Sequence, residues 1–470
     1  MRQTRRLSNA RREGWSEWIR GPRDEKAVLE GCRFDVQAAE RVRTFFTKFL
    51  RHSKGQWAGQ PFALLDWQWR EVVGPLFGWK RADGTRRYRR AYIEVPKKNG
   101  KSALFSGLSL YLLAADGEPG SEVYSAAVDR DQASIVFNEA ANMVEVSPQL
   151  SSRLNVVRST KRIVMPRSHS FYKALSADVP AKEGLNAHAV LIDELHAQKT
   201  RQLWDTLRYT GAARRQPLHL SITTAGFDRH SICWEQHDYA EKVLDGTIED
   251  SSFLPFIAAA GAEDDWTNPE VWRKANPSFA VTISPEQFAE DCREAQESPA
   301  KENSFRRYRL NQWTEQEVRW LSLEKWDACA APTGNLERRP CYAGLDLSST
   351  TDITALVLVF PNEDRYDVLP LFWVPEEGAR QRERRDRVPY TAWIRGGYVA
   401  ATPGEVIDYD RIRQKINELG QRYEIREIAI DRWNATQLAT QLEGDGFEVV
   451  AFGQGYRLRR RAVGRMHRTT

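Results

Sequence analysis

Cysteine is scarce. Five residues (Cys32, Cys233, Cys292, Cys329 and Cys341) are scattered over 470 positions with no C-x-x-C pair. That pattern argues against a zinc site and a disulfide framework, and makes a reducing cytoplasm the natural compartment. Long apolar runs are also missing. The longest, such as Ala355 to Phe360, fall far short of the roughly 20 residues that a membrane helix needs. No continuous apolar stretch follows the N-terminus, so no secretory signal is expected. A large charge imbalance is absent too: the net charge is +5, modest for this length. Only its distribution is suggestive. Arg2, Arg5, Arg6, Arg11 and Arg12 open the chain, and Arg457, Arg459, Arg460, Arg461, Arg465 and Arg468 close it. Such runs are either solvated tails or nucleic-acid contacts. What is present, 41% hydrophobic and 28% charged residues, suits a soluble globular protein with ample core. The length predicts about two to four domains.

The chain is organised around Arg90 to Ala114, which reads R-A-Y-I-E-V, P-K-K-N-G-K-S, then A-L-F-S-G-L-S-L-Y-L-L-A. Tyr92, Ile93 and Val95 suit a buried strand. Lys97, Lys98, Asn99 and Gly100 sit in a polar turn, and Lys101 opens a mostly apolar helix. Strand, turn, G-K-S and helix are the context of a phosphate-binding loop. Backbone N–H groups at the positive end of the helix can cradle a polyphosphate. Lys101 would then reach the β- and γ-phosphates, and the Ser102 hydroxyl would sit on Mg²⁺. The usual motif begins with Gly, and Val95 stands there. An ordinary strand-to-helix connection has the same outline.

Other segments acquire meaning around this loop. Val36 to Leu50 has helical spacing, and residues 62–79 form an aromatic-rich helix beginning near Asp66. Its Trp67, Trp69, Phe77 and Trp79 read as core, while the Gln68 amide can make a paired contact to an adenine edge. Glu122 to Val128 and Ser170 to Leu175 read as strands, and Arg130 to Val144 as a helix. Residues 187–196, A-H-A-V-L-I-D-E-L-H, form a buried strand ending in Asp193-Glu194. Two adjacent carboxylates there are costly unless a cation is present. In a P-loop enzyme the first supports Mg²⁺ and the second polarises the attacking water. Thr223 and Thr224 end another strand, where they either lie beside the phosphates or are simply strand-end polar residues. Strands and helices alternating from 90 to 260 predict a mostly parallel sheet with helices on both faces and ligands at the C-terminal strand ends, where Gly100, Asp193 and Thr224 converge. Helical patterns at Pro285 to Glu297 and Lys301 to Asn311 close this region. The expected ATPase domain is 1–326, followed by a Pro/Gly-bearing linker, 327–339.

A second α/β pattern occupies 340–470. Tyr342 to Leu347, Ile353 to Phe360 and Tyr366 to Val374 form an antiparallel meander with Asp346 in its first strand. Ile407 to Leu419 is helical, Ile425 to Ile430 a fourth strand, and Asp431 follows it. Two divalent ions held by such carboxylates stabilise attack and departure at a phosphodiester, the arrangement of ribonuclease H-like nucleases.

Together these residues resemble the large terminase subunit of tailed double-stranded DNA phages, over 60 to about 456. D-W-Q-W matches the adenine motif, E-V-P-K-K-N-G-K-S a variant Walker A, V-L-I-D-E-L-H Walker B with its catalytic Glu, and T-T-A-G the coupling motif. G-L-D-L-S-S-T-T-D-I-T-A-L and A-I-D-R-W-N-A-T-Q-L match the two nuclease motifs. The family tolerates a non-Gly residue at the Val95 position. The resemblance implies an ATP-driven motor that packages double-stranded DNA into a procapsid through its portal, with a fused endonuclease cutting concatemers. It implies ATP and Mg²⁺, with Mn²⁺ an option for the nuclease. A small terminase subunit, the portal protein and a homo-oligomeric ring are the implied partners, with no membrane. The implied place is the host cytoplasm, transiently at the portal. Lys97 or Lys98 adds charge at the phosphates. A basic residue acting in trans is expected to be Lys182, with Arg162 and Arg167 as rivals.

Two rivals stand beside this reading. A P-loop DNA helicase or translocase would need a second motor domain, and 340–456 carries no second set of such motifs. A non-enzymatic DNA-binding assembly factor would have a degenerate P-loop and no ATP turnover. The sequence departs from the family near its end: no Asp or Glu follows Glu448, where these nucleases carry a third acidic residue, and the segment after about 456 reads as truncated or altered. Asp352 is the nearby carboxylate that compensates in part. The chain is therefore expected to hydrolyse ATP but to cut DNA poorly, even in Mn²⁺. Plasmid cleavage in Mg²⁺ and Mn²⁺, compared with Asp346→Ala, checks this; robust cutting that the mutation removes would contradict it.

Overall fold

The computed structural model describes residues 13–176, 184–198, 200–314, 323–348, 353–363, 365–377, 383, 388–431 and 436–452. The chain divides into two compact units, 1–320 and 321–470, each described by itself.

In the first unit a two-residue antiparallel ribbon pairs β1 (Arg33–Phe34) with β2 (Trp79–Lys80). The main sheet takes β3 (Arg90–Glu94), β4 (Glu122–Ala127), β5 (Asn155–Val157), β6 (Arg162–Met165), β7 (Ser170–Ser176), β8 (Ala189–Asp193), β9 (Leu218–Thr223) and β10 (Phe253–Ile257). Its order is β10-β3-β9-β8-β4-β7-β6-β5. The six strands from β10 to β7 are parallel, and β6 and β5 add an antiparallel edge. Buried runs such as A-V-L-I-D in β8 and L-H-L-S-I-T in β9 are what a sheet covered on both faces requires.

The Lys101–Ala114 helix is mostly apolar and largely buried, lying in the core with Phe46, Val72, Val136 and Leu220. That placement explains why it shows no polar stripe. Gly107 is required there, because a Cβ would come within 2.5 Å of the Phe46 ring. The Val36–Phe49 helix starts at Asp35, whose carboxylate accepts the Ala38 N–H at 2.9 Å. The aromatic segment expected as one helix from Asp66 is a π-helical turn, Gln68–Val73, continuing as a short α-helix, Gly74–Gly78. Gly74 lies against the Trp18 ring and Gly78 against Phe34, so the backbone itself packs on aromatic faces. At the sheet's other end, Arg86 is fully buried and pairs with Asp116, which also meets His188 Nε2 at 2.7 Å.

The second unit holds a six-stranded sheet. β11 (Pro340–Asp346), β12 (Thr354–Asn362) and β13 (Arg365–Pro375) form the antiparallel meander, joined by β14 (Ala400–Thr402), β15 (Glu424–Asp431) and β16 (Val449–Phe452). The order is β14-β13-β12-β11-β15-β16. β11 alternates strictly between exposed and buried positions. Its inner residues Cys341, Ala343 and Leu345 share a core with Ile412, Ile416 and Leu419 of the Tyr409–Arg422 helix.

Candidate active site

The parallel strands of the first unit deliver their C-terminal ends to one edge, and three sequence motifs meet there. After β3, residues 95–100 turn into the Lys101–Ala114 helix through Gly100, which takes the left-handed conformation at φ 83°. Glycine suits this position twice. An L side chain is strained there, and a Cβ would lie 3.1 Å from Gln68 Nε2.

Lys101 is buried, at 6% exposure. Its ammonium uses three donors: to Val95 O at 3.0 Å, Pro96 O at 3.2 Å and Thr224 Oγ1 at 2.5 Å. Glu194 Oε1 lies 3.9 Å away. Burial pulls the Lys101 pKa down, while Glu194, Asp193 and Glu94 push it back up. Asp193 ends β8, buried, with Oδ1 accepting the Glu194 N–H at 3.0 Å. Burial and then the Glu194 charge push its carboxyl upward, with Lys101 opposing. Burial acts the same way on Glu194, but Lys101 and His196 outweigh it and hold that carboxyl below its ordinary value. The Asp193 and Glu194 carboxylates offer the oxygen ligands that a hard divalent cation takes. The group then has a counter-charge for Asp193, which otherwise sits buried beside a like charge.

Glu194 is left-handed, at φ 47°. A residue with a Cβ adopts this region only when its surroundings impose it. The turn Leu195–Ala197 follows, and His196 ties it to the neighbouring strand end. Its N–H donates to Thr223 Oγ1 at 3.0 Å, and its Nδ1 lies 3.2 Å from both Thr223 Oγ1 and Glu194 Oε2. Thr223 is thus committed to the turn that carries Glu194, while Thr224 meets the lysine.

The other expected residues divide. Gln68, Gly100 and Ser102 line one cleft of about 530 Å³, walled by His52, Trp57 and Phe62, a volume in the range of ligand sites. Gln68 Oε1 already accepts the Leu65 N–H at 3.0 Å, so Nε2 is the end beside Gly100. Lys97 lies over the Tyr308 ring, 3.5 Å from its centroid. Lys98 is exposed at φ 71°. The buried Asn99 side chain pins the turn to residues 276–278: Nδ2 donates to Pro96 O at 3.2 Å and to Asn276 Oδ1 at 3.0 Å, and Oδ1 accepts the Ser278 N–H at 3.0 Å. In the second unit Leu345 pairs with Ile430, so Asp346 and Asp431 end adjacent strands. Asp352 and Lys182 lie outside the described residues. No group of three or more His, Cys, Asp or Glu able to hold a metal occurs among the described residues. Arg162 stacks over the Phe171 ring, 4.3 Å from its centroid, and Arg167 is exposed.

Sequence reasoning missed Glu94, one residue before the phosphate-loop turn. It is fully buried and accepts from Tyr92 Oη, His237 Nδ1 (2.9 Å), Asn311 Nδ2 (3.2 Å) and Trp313 Nε1 (3.2 Å). Burial pulls His237 down, yet the Glu94 contact outweighs it and leaves the imidazole above its ordinary pKa. A charged residue inside the otherwise apolar strand Y-I-E-V was the one available signal.

The chain matches the family model of the terminase large subunit ATPase domain over residues 66–242 and that of the terminase large subunit endonuclease domain over 247–459. The terminase large subunit of Enterobacteria phage HK97 is 30% identical over 424 residues, 89% of this chain and 82% of that protein. Protein YmfN of Escherichia coli K12 is 27% identical over 286 residues, 58% of this chain and 63% of that protein. The crystal structure of the HK97 large terminase aligns with a TM-score of 0.52 at 29% identity, covering 89% of this chain and 85% of that one. No helix among the described residues is long and apolar enough to cross a membrane.

The left-handed Glu194 generates a stability prediction. Glu194→Gly should be more stable than Glu194→Ala by about 1 kcal/mol, because only glycine occupies this backbone region without strain. Urea denaturation of the two variants measures the difference. Equal stabilities, or a more stable alanine variant, would show that the turn does not impose the conformation.

Proposed function

The chain belongs to the terminase large-subunit family, a phage DNA-packaging ATPase with a nuclease domain, and we propose how its own residues divide that work. One observation carries the proposal: Lys101 Nζ, Thr224 Oγ1 and Glu194 Oε1 lie together at the ends of parallel strands. This is where a doubly wound sheet binds ligands.

ATP occupies the cleft, its adenine against His52, Trp57 and Phe62 with Gln68 Nε2 donating to it. The triphosphate runs over Gly100 and the first turn of the Lys101–Ala114 helix, where backbone N–H groups and the helix dipole favour an anion. Lys101 leaves the Val95 and Pro96 carbonyls for the β- and γ-phosphate oxygens. Lys97 or Lys98 adds charge at the phosphates. Ser102 and Asp193 would hold Mg²⁺, which would neutralise charge on the phosphates. Glu194 orients and polarises the attacking water. A bond forms from the water oxygen to the γ-phosphorus as the bond to the β,γ-bridging oxygen breaks. The electron pair leaves with ADP, and the water proton passes through Glu194 to the released phosphate. Thr223, held to the Glu194 turn by His196, and Thr224, held to Lys101, respond when the γ-phosphate departs.

In the second unit Asp346 and Asp431, with Asp352 as a further carboxylate, would hold a divalent ion, Mg²⁺ or Mn²⁺, which would supply charge stabilisation for phosphodiester cleavage. Packaging requires the portal of the procapsid, a small terminase subunit and a homo-oligomeric ring in the host cytoplasm. Arg162, Arg167 or Lys182 reaches a neighbouring subunit's nucleotide.

Glu194→Gln tests the division of labour. ATP affinity should change less than about threefold, while turnover falls on the order of 10²–10⁴-fold, the size of a general-base contribution. Titration calorimetry and phosphate release measure the two separately. Parallel loss of binding and turnover would make Glu194 a structural residue.

A further inference from the structure

The buried Glu94 carboxylate joins the phosphate loop to a distant piece of chain. Residues 311–314 follow the Pro299–Leu310 helix and precede the division between the two units at Trp320. Asn311 and Trp313 both donate to Glu94 Oε1, at 3.2 Å each. Asn311 also accepts the Ala225 N–H at 2.7 Å and donates to Ala258 O at 2.9 Å, so one side chain ties together the ends of β9, β3 and β10. Gly226 lets the Trp313 ring close over this end; a Cβ there would lie 2.9 Å from the ring. The Thr314 N–H points at Gly226 O, 3.4 Å away, and the Lys97 N–H donates to Tyr308 O at 2.9 Å. The segment from Tyr308 to Thr314 therefore touches the phosphate loop at one end and the Thr224-Ala225-Gly226 end of β9 at the other.

A carboxylate buried to this degree is tolerated only while its donors are in place, because each lost donor exposes a large desolvation cost. The segment is therefore seated as a whole or displaced as a whole. Lys101 holds the carbonyls of Val95 and Pro96, the two residues after Glu94, and the hydroxyl of Thr224, the residue before Ala225. Moving its ammonium onto a phosphate changes the bonding on both sides of the Glu94–Asn311 junction.

We infer that Glu94, Asn311 and Trp313 are positioning residues that couple the phosphate loop to residues 308–314, so that nucleotide at Lys101 alters the seating of the chain leading to the second unit. This rests on the nucleotide site proposed above. Coupling runs through contiguous packed contacts between Lys101, Thr224, Ala225, Asn311 and Glu94, the kind of network that transmits about 0.5–2 kcal/mol, or about 2- to 30-fold in an opening equilibrium.

Hydrogen exchange of the full chain, with and without a non-hydrolysable ATP analogue and Mg²⁺, tests the inference without a mutation. Peptides over 97–104 should be protected, and peptides over 308–314 should change about 2- to 30-fold in exchange rate. In Trp313→Phe, which keeps a ring but removes the Nε1 donor, the change at 308–314 should shrink. Its kcat for ATP should fall severalfold while KM stays within about twofold, a split that a purely structural role would not give. Protection at 97–104 with no change at 308–314 would overturn the coupling and leave the nucleotide site standing. No protection at either segment would overturn both.

Discussion

A buried ammonium is the constraint on which the first unit depends. Lys101 has almost no contact with water and is held by two carbonyls and a hydroxyl, with Glu194 close by. Desolvation of a lysine is costly, so every group around it is a counterpart to that charge. The parallel sheet makes such a cluster possible, because β3, β8 and β9 all end on the same edge. Their terminal residues supply the loop, the carboxylates and the threonines without long connecting loops.

The same edge concentrates features that oppose stability. Glu194 is in a left-handed conformation, Asp193 is a buried carboxyl beside it, and Glu94 is a second buried carboxylate two strands away. Such residues persist where surrounding structure over-determines them. Here the surroundings are identifiable. His196 fixes the Glu194 turn on Thr223, and Asn311 fixes the ends of three strands on Glu94. Local rules of propensity fail where chemistry is placed, as expected of a functional site.

Much of this was legible in the sequence for a physical reason. Strand, glycine turn and G-K-S are contiguous, so their geometry is written locally, and β8 announces itself by an apolar run that ends in two acids. The antiparallel meander of the second unit was readable from short apolar runs separated by turn residues such as S-S-T-T-D. What stayed hidden depends on contacts between distant segments. Glu94 and Asn311 are 217 residues apart, and no spacing rule connects them. Asn99 sits in the expected loop, but the bonds of its side chain to Asn276 and Ser278, far along the chain, follow from no local pattern. β10 carries a proline inside F-L-P-F-I and went unread. It sits on the sheet edge, where proline is tolerated. The endonuclease-domain family model begins at residue 247, whereas β10 pairs with β3 of the first unit. Sequence similarity and compactness thus draw different boundaries.

Replacing the ammonium by an apolar side chain of similar length tests the account most directly. Lys101→Met removes the charge and its desolvation cost together, so the fold should hold, as circular dichroism and the thermal midpoint would show. ATP turnover of the full chain in Mg²⁺ should then fall by on the order of 10²-fold or more, because the positive charge aimed at the transferring phosphoryl group is gone. A folded Lys101→Met chain that still hydrolyses ATP at the parent rate would contradict the assignment of this strand edge as the site of chemistry.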